Sequence, residues 1–175
     1  MALRVFDVTQ GSPHTANIVF WAVNNVNDDK SVRALSQPPQ VVVVFHGPAV
    51  KMISTDRNGF KDSDKKALDT FANTIREMKA GGVKFEVCDY ALKVMGVDPS
   101  TVLPEVNHVP NGFISIAGYQ AQGYSVITVP AVLSVFPVLV PIWFFSGGRS
   151  KHGWLEMVGK TYTGRSYKKL MTSAG

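Results

Sequence analysis

The run Val41-Val42-Val43-Val44-Phe45 constrains the fold of this chain more than any other feature. A strand with one face in water alternates apolar and polar side chains. An unbroken β-branched run has no face to give to solvent, so it belongs to a strand covered on both sides, as in a parallel sheet flanked by helices. The run ends in His46-Gly47-Pro48, which breaks the strand and opens a loop.

Strand and helix candidates alternate on either side of it. Leu3–Val8 reads as a first strand, followed by a polar turn at Gln10-Gly11-Ser12-Pro13. Helical spacing places Ile18, Trp21, Ala22 and Val26 on one face of a segment from about His14 to Asn27. Asp62 to Ala80 is an amphipathic helix: Leu68, Phe71, Ala72, Ile75 and Met78 recur on one side, and Gly81-Gly82 ends it. Val83–Val87 is the third strand, and Tyr90 to about Met95 a helix. Asp98-Pro99-Ser100-Thr101 reads as the start of a further helix, Val106–Val109 is a short strand, Pro110-Asn111-Gly112 a turn, and Phe113 to Gln122 a helix. Tyr124–Thr128 is the fifth strand. This βαβ series predicts a three-layer α/β/α sandwich with a five-stranded, mainly parallel sheet over about residues 1–128.

Residues 129–175 form an extension of a different kind. No Asp, Glu, Lys or Arg occurs between Glu105 and Arg149, and Val126 to Phe145 is almost wholly apolar and of membrane-spanning length. Pro130, Pro137 and Pro141 oppose a regular helix there. Two readings stay open: a segment packed on the domain or a partner subunit, or contact with a membrane.

Charge sharpens this division. The net charge of +5 comes from the tail, because Lys and Arg balance Asp and Glu at 12 each up to Ile127. Six basic residues then face Glu156 alone. A basic balance confined to the tail gives no reason to expect a nucleic-acid partner for the main domain. The Lys160–Lys169 stretch mixes basic and aromatic residues and reads as a solvated basic terminus or as a contact for acidic lipid or nucleic acid.

The one cysteine, Cys88, closes the third strand candidate. A single thiol excludes an intrachain disulfide and a multi-cysteine zinc site, and suits a reducing compartment. The first residues, Met1–Asp7, carry charge early and have no long apolar core, so they do not read as a signal peptide; cytoplasmic residence is expected. Cys88 stands where a parallel sheet presents its chemistry, at the carboxyl end of a strand and the start of a helix. A helix N-terminus favours a thiolate, the nucleophilic form; the neighbouring Asp89 opposes a second anion, or caps the helix itself. The alternative is a small buried apolar residue.

His46 should reach the same sheet edge, as a proton donor or thiolate-stabilising group, or as a loop histidine bonded to a backbone carbonyl. Gly47 permits a close backbone approach or a positive φ. Asn111 and Gly112, after the fourth strand, suit either a plain turn or hydrogen bonds to a small anion. His14 and His108 lack metal-ligand spacing, so no metal site is expected. Gly-x-Gly-x-x-Gly, the Walker loop and Gly-x-Ser-x-Gly are all absent, and no cofactor is implied.

Val41–Pro48, Gly82–Cys88, Ala91–Val97, Val109-Pro110-Asn111-Gly112 and Gln120–Tyr124 together resemble the DsrE/DsrF-like family, small α/β proteins of intracellular sulfur metabolism and sulfur relay. The resemblance covers about residues 3–128. It implies a parallel five-stranded sheet between helices and a homo-oligomer, trimer or hexamer. It also implies a cysteine at the position of Cys88 that carries sulfur as a persulfide between donor and acceptor proteins. The family domain ends near the fifth strand, so the tail has no counterpart in it.

Overall fold

A computed structural model describes residues 3–35 and 40–131. The sheet has the strand order β4-β3-β2-β1-β5 and every pairing in it is parallel. Its strands are β1 (Leu3–Val8), β2 (Gln40–Phe45), β3 (Lys84–Cys88), β4 (Asn107–Val109) and β5 (Ser125–Val129). The valine run occupies β2, the central strand, and its residues from Val41 to Phe45 are all buried. The helices are α1 (Pro13–Asp28), α2 (Lys30–Leu35), α3 (Asp62–Ala80), α4 (Asp89–Met95) and α5 (Gly112–Ala121). Short 3-10 turns cover Gly47–Lys51 and Pro99–Thr101; the second stands where a further helix was expected to start and goes no further than one turn.

Period-2 alternation sorts the strands onto two layers. Phe6, Val8, Val43, Phe45, Phe85 and Val87 meet α1 and α3, where Phe20, Phe45 and Phe71 form an aromatic cluster with ring centroids 4.7–6.3 Å apart. Val5, Val42 and Val44 meet Ile116 and Tyr119 of α5 on the opposite face. The architecture is therefore the expected α/β/α sandwich.

Helix termini follow local chemistry. Ser12 caps α1, accepting from the Thr15 amide, with Pro13 in the first turn. Asp62 and Asp64 at the start of α3 and Lys79 at its end complement its dipole. In α1 the buried side differs from the face that spacing picks out. Ile18 and Trp21 are 73% and 69% exposed, whereas Ala16, Phe20 and Val23 are buried. The helix carries two apolar stripes, and periodicity alone cannot choose between them. The fit of Phe20 between Phe45 and Phe71 decides it.

The apolar stretch from Val126 is split: Val126–Val129 completes β5, and from Val132 on the chain, with the basic Lys160–Lys169 stretch, lies outside the described residues. Among the described residues no helix is long and apolar enough to cross a membrane.

Candidate functional site

The carboxyl edge of the sheet collects the chemistry. Asp7, His46 and Cys88 lie at the ends of three adjacent strands, β1, β2 and β3. Strand register aligns Asp7 with Val44, and Phe45 with Val87, so His46 and Cys88 follow side by side. Alternation places all three on the α5 face, in line with Val5, Val42 and Val44. His46 is anchored by its backbone, its N–H donating to the Val8 carbonyl at 2.8 Å and its carbonyl accepting from Ala49.

Cys88 and His46 are 2% and 3% exposed, yet both line an apolar hollow of about 240 Å³ with Thr9, Tyr90, Val94 and Phe113. The thiol is thus covered by protein but borders space a small molecule can enter. The His46 ring lies 4.7 Å from that of Phe113. Burial pushes the His46 imidazole below the ordinary histidine range, with the Asp7 carboxylate pulling the other way. A neutral imidazole is the form that can accept a proton.

Gly112, at the first turn of α5, explains how the helix comes so close. A Cβ there would stand 2.4 Å from His46 Cε1, 2.7 Å from Nε2 and 3.1 Å from Cys88 Cβ. The ring edge made by Cε1 and Nε2 therefore lies no farther from Cys88 Cβ than these distances sum to, close enough for one water to bridge imidazole and thiol. Gly47 answers a different need: its φ is +45°, with nothing within 4 Å of the place of a Cβ, so a left-handed backbone requires it.

The other sequence-predicted residues sit around this centre. Asn111 caps α5, its Oδ1 accepting from the Phe113 amide at 3.0 Å. Cys88 itself occupies the N-cap position of α4, making no side-chain capping bond, and Asp89 is the first helical residue. The Asp89 carboxylate faces outward to His108 Nδ1 at 2.6 Å, on the edge strand β4. His14 pairs with Asp64 at 3.2 Å, between α1 and α3. Among the described residues no group of three or more His, Cys, Asp or Glu is placed to hold a metal ion.

Two acidic residues escaped the sequence reading. Asp7 interrupts the otherwise apolar end of β1, 3.6 Å from His46 Nε2. Glu86, buried on β3, accepts from Lys84 at 2.8 Å, from Tyr119 at 2.7 Å and from Ser115. Burial resists its ionisation, but those donors prevail and hold its carboxyl below the ordinary range. Lys84, bonded to Glu86 and Tyr119, is held well above the ordinary lysine range. The signal for both was the same, a carboxylate inside a strand that otherwise buries its side chains.

The fold class is a parallel α/β/α sandwich, with Cys88 and His46 side by side at its carboxyl edge. The DsrE/DsrF-like family model matches residues 4–129, and the chain belongs to that family. Three solved structures share the fold. A protein of unknown function, MTH1491 from Methanobacterium thermoautotrophicum, is 19% identical with a TM-score of 0.57, covering 74% of this chain and 100% of its own. The BT1422 protein from Bacteroides thetaiotaomicron is 16% identical with a TM-score of 0.53, over 73% and 95%. The ychN protein from E. coli is 12% identical with a TM-score of 0.50, over 73% and 99%. No curated protein matches the chain.

Proposed function

We propose that this protein is a sulfur-relay carrier that holds sulfane sulfur as a persulfide on Cys88. The observation that carries the reading is the pairing of the chain's only cysteine with a buried histidine in an apolar hollow, within a family that includes carriers of intracellular sulfur. The step is a thiol exchange. His46 takes the Cys88 proton, and the thiolate attacks the outer sulfur of a donor persulfide. A new S–S bond forms at Cys88, the donor's S–S bond breaks, and the donor leaves as a thiol after taking up the proton. An acceptor thiol then reverses the exchange, so nothing is oxidised overall. Donor and acceptor are partner proteins in this scheme, met in the cytoplasm, and the apolar walls favour a soft, weakly hydrated sulfur atom over an oxyanion.

Tyr90, Val94 and Phe113, which line the hollow, are each more than 60% exposed, an apolar rim that favours a homo-oligomer, trimer or hexamer, closing over the site. The same rim and hollow fit a second reading, a non-catalytic module that binds a small apolar ligand.

Intact mass after incubation with a persulfide donor separates the two. A carrier gains about 32 Da, one sulfur atom, reversed by a reductant and absent from Cys88→Ser. No adduct on the wild type, or an equal adduct on the variant, overturns the carrier.

A further inference from the structure

We infer that Asp7 is a positioning residue for His46, fixing its proton on Nε2 so that the imidazole is held as an oriented proton acceptor beside Cys88. The inference rests on the carrier reading for its biological purpose, but not for its physical test.

His46 Nε2 and Asp7 Oδ1 are both shut off from solvent and neither has a hydrogen-bond partner among the described residues. They face each other at 3.6 Å, within ion-pair reach and just beyond hydrogen-bond length. Two buried polar atoms left unpaired carry a cost that a small contraction would remove by making each the other's partner. Contacts of this kind commonly tighten around the reacting group.

Chemistry fixes the direction of the bond. A carboxylate can only accept, so the nitrogen facing Asp7 must carry the hydrogen. Neutral His46 then has its lone pair on Nδ1. That nitrogen is bonded to the Cε1 that lies 2.4 Å from the place of a Gly112 Cβ, itself 3.1 Å from Cys88 Cβ, and it takes the Cys88 proton across one water. Register brings the three residues together on one face of adjacent strands, and the 3.6 Å approach at Nε2 sets which nitrogen meets Asp7. The titratable groups around His46 are Asp7 from β1, Cys88 from β3 and Tyr90 from α4; α5 presents Gly112 and Phe113, and the loop after β2 presents Gly47, none of which titrates.

The test uses the full chain and two readouts independent of sulfur. Nitrogen-15 NMR of the imidazole in the wild type should show neutral His46 protonated on Nε2, and a proton on Nδ1 overturns the assignment without any variant being made. The second readout is the rate of Cys88 alkylation by iodoacetamide against pH. Asp7→Asn should slow it about tenfold or more at the plateau and move both the acid limb and the His46 titration to lower pH, because an attracting carboxylate is gone. Asp7→Glu should restore part of the rate. In a His46→Asn background, Asp7→Asn should change nothing further. An unmoved titration, or equal losses with and without His46, shows Asp7 to be merely structural. A missing sulfur adduct with these results intact would instead sink the carrier and leave the Asp7–His46 coupling standing.

Discussion

Gly112→Ala is the sharpest test of how the site is built. Read as part of a Pro-Asn-Gly turn, the position should tolerate alanine. The structure places the new methyl 2.4 Å from His46 Cε1 and 3.1 Å from Cys88 Cβ. Carbon atoms in contact sit about 3.5–4.0 Å apart, so the imidazole must retreat by about 1 Å. It has little room, being buried with Phe113 packed against it. Overpacking of this kind costs about 1–3 kcal/mol. Alanine's better helix propensity returns up to about 1 kcal/mol, and less in a first turn. The net loss of about 1–2 kcal/mol corresponds to a fall in Tm of roughly 3–8 °C for a domain of this size. Thermal unfolding followed by circular dichroism measures it. Gly118→Ala, in the same helix with nothing within 4 Å, is the control and should raise Tm slightly. A Tm for Gly112→Ala equal to or above the wild type would refute the close approach of α5 to the His46–Cys88 pair.

Four further outcomes are expected. Phe20→Ala should cost about 3–5 kcal/mol in chemical denaturation, while Trp21→Ala, on the exposed stripe of α1, should stay within about 0.5 kcal/mol; the reverse ranking would mean the wrong face is buried. The depressed His46 contributes stability that is fully present above its ordinary value of 6.5 and is lost as pH falls from there through its folded value. A Tm series against pH should therefore lose its decline just below 6.5 in His46→Asn. Glu86, also depressed, contributes above 4.5 and loses that contribution as pH falls through its folded value, so Glu86→Gln should flatten the curve only in that lower window. Glu86→Ala should cost about 1–3 kcal/mol at neutral pH, since Ser115 and Tyr119 lose their acceptor.

Most of the sheet was readable because burial on both faces leaves a chemical mark. The valine run announced a strand in the interior of a parallel sheet, and Leu68, Phe71 and Ile75 announced the buried side of α3. Observed boundaries differ by a residue or two, as in β5, which runs to Val129 rather than Thr128. The helix α2 was missed because Lys30–Leu35 offers less than two turns of pattern. Where local signals were degenerate, the chain could not decide for itself. Two apolar stripes on α1 were equivalent until Phe45 and Phe71 supplied a socket for Phe20.

The candidate site divides in the same way. Sequence alone determined that Cys88 is the sole thiol and that it and His46 each stand at a strand's end, because residue type and strand punctuation are local properties. Tertiary structure decided that those strands are neighbours, which is a matter of strand order and register. It also showed that Asn111 uses its side chain to cap α5 and that Asp89 turns to His108. Gly112 looked like turn chemistry and is instead the gap through which α5 meets the pair. Asp7 was an unremarked carboxylate in a strand until parallel pairing set it beside His46. Distances between residues far apart in the chain are written by packing, and no local pattern carries them.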